Sequence, residues 1–89
     1  MTRDQITEMA EVGMLSETAA VFDEYLDAVV GYTSDGLLVY DYEKMVEVLM
    51  DRDGMTAEDA MEWLDYNTIR SLPYIPEAPV IVYSVHEGE

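Results

Sequence analysis

The sequence predicts a small α+β domain: a three-stranded, mainly antiparallel sheet with about three helices packed on it, in the order α(α)ββααβ. Three observations carry this expectation. Two β-prone runs, residues 29–33 and 37–40, flank Ser34-Asp35-Gly36, a hairpin signal because Gly36 accepts the positive φ such a turn requires. Two stretches with helical apolar spacing and capping residues come next. Val80-Ile81-Val82-Tyr83 then supplies a third β-prone run.

Residues 3–11 are helix-compatible, with Ile6, Met9 and Ala10 on one side, and Gly13 interrupts them. The chain 1–89 reads as one domain, with 1–14 as a loosely attached N-terminal segment. Ser16 reads as an N-cap, with Glu17 in the first turn where the helix dipole favours negative charge. Ala19, Ala20, Phe22, Tyr25, Leu26 and Val29 keep helical spacing from there, which predicts a helix to about Ala28.

Beyond the hairpin, Asp41 can cap a helix over 42–51 whose apolar face carries Met45, Val46, Val48 and Leu49, and Gly54 ends it. Thr56 opens another, with Asp59 where a capping box would place Glu. This helix is predicted to be the longest, running through Ala60, Met61, Leu64 and Thr68 to Leu72, where Pro73 stops it. Pro76 and Pro79 bracket a turn. The nearly unbroken apolar character of 80–83 predicts a central or doubly covered strand, and 86–89 read as a frayed tail.

The 89 residues include 4 Lys and Arg against 20 Asp and Glu, a formal charge of -16. Such a surface cannot hold phosphate backbones or anionic membranes, since both need a basic footprint. Yet 49% of the residues are hydrophobic, so a core is attainable and disorder is not expected. With no Cys, no leader-like N-terminus and no run near the ~18 apolar residues of a membrane span, a cytoplasmic protein is expected.

The catalytic inventory is thin. The chain has one His, His86, which reads as an exposed tail residue rather than a base or ligand. No metal-ligand spacing or Gly-rich phosphate loop occurs, so no catalytic residue, metal or cofactor is assigned. Asp51-Arg52-Asp53-Gly54 fails as a calcium loop, because position 60, where the closing Glu belongs, is Ala60; it reads as a turn between helices. Asn67 reads as a buried polar group anchoring a turn or hairpin backbone, with an interface contact as the alternative.

The arrangement of acids is the informative feature. They recur at i, i+3 or i+4 on every predicted helix: Asp4, Glu8 and Glu11; Asp23 or Glu24 with Asp27; Glu43, Glu47 and Asp51; Glu58, Glu62 and Asp65. Like charges at this spacing cost a helix about 0.2–0.5 kcal/mol per pair, with few cations to relieve them. Four residues of helix advance about 6 Å, a pitch of the same order as the roughly 3.4 Å between phosphates along one nucleic-acid strand. Mimicry of nucleic acid is one reading; solubility or adaptation to salt is the other. Tyr25, Tyr32, Tyr42, Trp63, Tyr66 and Tyr74 offer interface anchors among the charges, though most are expected in the core.

Met55-Thr56-Ala57-Glu58-Asp59-Ala60-Met61-Glu62-Trp63-Leu64-Asp65-Tyr66-Asn67-Thr68, followed by Pro79-Val80-Ile81-Val82, resembles a family of small phage and prophage proteins. Gly31-Tyr32 and the stretch from Gly36 to Asp41 match that family's upstream segment, so the resemblance covers residues 29–83. It implies shared ancestry and no catalytic role, with Thr56, Asp59, Asn67 and Pro79 as fold determinants. Small acidic phage proteins include anti-restriction and anti-CRISPR inhibitors. The resemblance therefore implies a phage-encoded, non-enzymatic inhibitor that occupies the basic groove of a host nucleic-acid-binding defence protein. Asp23, Asp27, Glu43, Glu47, Asp51, Glu58, Glu62 and Asp65 are the expected contacts. The alternative is a structural or assembly protein, or a homo-oligomeric module such as a homodimer, whose acidity serves solubility.

Overall fold

The computed structural model describes residues 1–85. Its elements are α1 (Arg3–Glu11), a 3-10 helix η1 (Asp23–Ala28), β1 (Val29–Tyr32), β2 (Leu38–Asp41), α2 (Tyr42–Asp53), α3 (Ala57–Asn67), a second 3-10 helix η2 (Ile69–Tyr74) and β3 (Val80–Val82). The class is α+β, with a sheet ordered β1-β2-β3.

The sheet is mixed rather than mainly antiparallel. β1 and β2 form the predicted hairpin, with Gly36 at φ +83, whereas β3 runs parallel to β2 and pairs Val39 with Val80 and Asp41 with Val82. The path from β2 to β3 passes through α2, α3 and η2, and a crossover of that kind brings the chain back in the direction it left. β3 is also an edge strand, not the central one. Val80 and Val82 are each 37% exposed and Ile81 packs on the core, while Leu38 and Tyr40 of β2 are fully buried.

Tyr40, Leu38, Met45, Leu49 and Leu64 are the largest fully buried side chains, and Ile6 and Leu15 belong to the same core cluster. Thr2 and Gln5 close a reciprocal capping box on α1, the side chain of each accepting the other's N–H. The Asp41 carboxylate accepts the Lys44 N–H at 3.1 Å, and α2 runs on to Asp53 before Gly54 caps it in the left-handed region.

The helix expected over 16–28 does not form. The Ser16 N–H bonds the Gly36 carbonyl at 2.9 Å, the Ala20 N–H bonds the Glu77 carbonyl at 3.0 Å, and the Phe22 N–H bonds the Tyr40 hydroxyl at 2.8 Å. The Ala20 and Phe22 donors serve distant acceptors, so an α-helical ladder cannot claim them. Only Asp23–Ala28 coils, as a 3-10 segment with a kink at Tyr25.

α3 stops at Asn67 rather than Leu72. Pro73 has no N–H to bond the carbonyl of Ile69, so the chain ahead of it tightens, and the Thr68 carbonyl accepts both the Ser71 N–H and the Ser71 hydroxyl.

Candidate functional site

η1 packs against α2, and Glu24, Asp27, Glu47 and Asp51 line the groove between them together with Lys44, Val48 and Arg52. The groove has a volume of about 480 Å³. Three of the predicted contacts, Asp27, Glu47 and Asp51, therefore meet. Glu24 joins them in place of Asp23, the chain kinking at Tyr25 between Glu24 and Asp27. Asp23 turns toward α1 and pairs with Arg3 at 3.5 Å.

Lys44 and Arg52 line the same groove as the four acids, and the Arg52 guanidinium is paired first with Asp53. It donates to both carboxylate oxygens of Asp53 at 3.2 and 3.0 Å, and more weakly to the Glu24 carbonyl at 3.5 Å. Those bonds hold the Asp53 carboxyl below its ordinary pKa. The Asp51-Arg52-Asp53-Gly54 segment is accordingly the last turn of α2 and its cap.

The acids of α3 divide between different surroundings. Asp65 accepts the Tyr42 hydroxyl at 2.8 Å, a bond that joins α3 to the start of α2. Burial, then this bond, pushes the Tyr42 pKa upward. Glu58 is exposed near the helix start and Glu43 is exposed on α2. Glu62 lines a separate groove of about 430 Å³ with Met55, Asp59, Trp63, Tyr66 and Asn67. The eight predicted acids thus do not form one face: Asp27, Glu47 and Asp51 share a groove, Asp23 and Glu43 lie outside it, and the α3 set is split.

Two residue assignments change. Asn67 is exposed, and its amide donates to the Trp63 carbonyl one turn back at 3.0 Å; Thr68 is the buried polar residue at this position. Of the six aromatic residues singled out, Tyr25 and Tyr42 are core, while Tyr32, Trp63, Tyr66 and Tyr74 are exposed. Sequence reading left Glu24 open as the alternative to Asp23 and missed Asp59 as a groove residue. The signal for Asp59 was present: 59, 62, 63 and 66 follow i, i+3, i+4, i+7, a stripe separate from the Ala60 and Leu64 face that enters the core.

Among the described residues no group of three or more His, Cys, Asp or Glu side chains is placed to hold a metal ion, and no helix is long and apolar enough to cross a membrane. His86 and the tail at 86–89 lie outside the described residues. Comparison with protein-family models, with curated proteins and with solved structures finds no match to this chain.

Proposed function

We propose that this chain is a non-enzymatic, phage-encoded inhibitor of a host nucleic-acid-binding defence complex, of anti-CRISPR or anti-restriction type, acting in the host cytoplasm. Its acidic surface takes the place of nucleic acid in a basic groove. The observation that carries this reading is the groove where Glu24, Asp27, Glu47 and Asp51 meet, on a scaffold of net charge -16. Four carboxylates drawn from two packed elements present negative charge without the rearrangement that a disordered acidic tail requires on binding. Attraction between such a surface and a basic groove makes association fast and strongly dependent on salt. The phage origin rests on the motif at 55–68 alone.

The test is DNA cleavage by purified restriction and CRISPR effector nucleases, with the chain added before the DNA, at low and at high salt. Inhibition is expected to fade as salt rises and to disappear in the triple charge reversal of Glu43, Glu47 and Asp51. Full inhibition by that variant, with its fold intact by circular dichroism, would sink the assignment.

The open sheet face favours a second reading, a homo-oligomeric module. Val80 and Val82 share one side of β3 and are exposed there, as is Val30 on β1. Sedimentation separates the two readings: an oligomer whose mass is unchanged by salt, with no binding to basic proteins, supports the second.

A further inference from the structure

α3 carries two faces. Ala60 and Leu64 enter the core, and Asp59, Glu62, Trp63 and Tyr66 form an outward stripe that lines a groove with Met55 and Asn67. Trp63 is 37% exposed and Tyr66 is 68% exposed, so both rings present surface to a partner. Carboxylates flank both rings. Such a pairing suits a cation with a flat, weakly hydrated face, because the ring quadrupole attracts it from one side and the acids compensate its charge from the other.

The protein itself shows this chemistry on the same stripe. Arg70, one turn beyond Tyr66, lays its guanidinium carbon 4.8 Å from the Tyr66 ring centroid. Trp63 lies one turn before Tyr66, with Asp59 and Glu62 beside it in the groove.

We propose that the α3 groove seats an arginine side chain of a basic protein partner, with its guanidinium against the Trp63 ring and with Asp59 and Glu62 as counter-ions. This rests on the reading of the chain as a binder of basic proteins, and it supplies what the η1–α2 groove lacks. That groove offers charge, which sets attraction and speed, whereas a ring that stacks a guanidinium discriminates arginine from lysine.

Trp63 is the one Trp in the chain, so its fluorescence reports occupancy directly. The experiment titrates the full chain with an arginine-rich peptide and with a lysine-rich peptide of equal length and charge, following Trp63 emission alongside the anisotropy of a label on the peptide. The arginine peptide is expected to change Trp63 emission saturably and to bind about three- to tenfold more tightly than the lysine peptide. Asp59→Asn with Glu62→Gln is expected to erase most of that preference. These substitutions are isosteric, and the cap bond at Thr56 comes from the Asp59 backbone N–H and survives. Glu47→Gln with Asp51→Asn is expected to weaken both peptides alike and leave the preference in place.

Peptide binding by anisotropy with silent Trp63 emission overturns the proposal, as does an equal loss of arginine preference from both variant pairs. Saturable, arginine-selective binding at Trp63 in a chain that inhibits no defence nuclease would uphold the groove and remove the proposed function. Inhibition that persists while Trp63 stays silent does the reverse.

Discussion

The Gly36 carbonyl accepts the Ser16 N–H at 2.9 Å, and a Cβ placed on Gly36 would lie only 2.6 Å from that same nitrogen. The hairpin turn and the segment leading into the core are thus fastened at a point where no side chain fits. Gly36 also has φ +83, a region costly for residues with a Cβ.

Gly36→Ala is therefore expected to cost about 3 kcal/mol, combining left-handed strain with overpacking against backbone that cannot swing aside. Gly54, at φ +69 with open space around its Cβ position, isolates the first contribution, and Gly54→Ala should cost about 1 kcal/mol. Urea midpoints of the two variants, with slopes compared, measure the difference. Equal losses would show that the close approach to Ser16 carries no energy.

Two buried tyrosines should respond oppositely to loss of the hydroxyl. The Tyr40 hydroxyl accepts the Phe22 N–H at 2.8 Å and lies 3.4 Å from the Phe22 carbonyl, so Tyr40→Phe orphans a half-buried donor and should cost about 1–2 kcal/mol. The Tyr25 hydroxyl is buried beside Thr68 and Arg52, yet neither completes a hydrogen bond of normal geometry with it. Tyr25→Phe is expected to be neutral or stabilising by up to about 1 kcal/mol. Chemical denaturation of both variants at neutral pH checks the signs.

Stability at low pH should depend on Asp41. Burial opposes its ionisation, but the Ser84 hydroxyl and the N–H groups of Lys44 and Glu43 outweigh that and lower its pKa. The unfolded chain then takes up the proton at higher pH than the folded one. The contribution of Asp41 is present above the ordinary carboxylate pKa and lost as pH falls through the lower, folded value. Acid also relieves the protein's self-repulsion, so the informative quantity is the gap between wild type and Asp41→Asn. That gap should be widest above the ordinary carboxylate pKa and narrow as pH falls through the lower, folded value. A gap constant across this range would contradict the depressed pKa.

The net charge should appear directly in thermal stability. With a formal charge of -16, repulsion between exposed acids opposes the compact state, and screening relieves it. The Tm is expected to rise steadily from low to physiological salt, and Glu47→Gln with Asp51→Asn should raise Tm at low salt while shrinking its salt dependence. Scanning calorimetry across a salt series gives both quantities. A Tm indifferent to salt would mean that the groove acids do not repel one another appreciably.

Every signal that the structure reproduces is made within a few residues of chain. The Asp41 and Thr56 caps, the left-handed Gly54 and the turn at Gly36 each close a hydrogen bond, or set a dihedral angle, inside one turn. Such features depend little on what the rest of the molecule does, so composition and spacing suffice to find them. The stripe at 59, 62, 63 and 66 was equally local and was overlooked because the acids on α3 were grouped with one another rather than with the rings beside them.

What needed the tertiary structure was each choice between a local partner and a distant one. Residues 16–28 have helical spacing, but the Ala20 and Phe22 donors reach Glu77 and Tyr40, and those long-range bonds prevail over a weak local propensity. That outcome moved Glu24 beside Asp27 and sent Asp23 to Arg3. Likewise, the run 80–83 announced a strand, but its parallel pairing and edge position follow from where α2, α3 and η2 carry the chain before it returns. The sequence by itself determined the α+β class, the caps, the hairpin and an acidity that demands a basic or strongly solvating environment. Only the packed chain decided which acids share a groove, because their neighbours are set by the path of the backbone through space and not by their spacing along it.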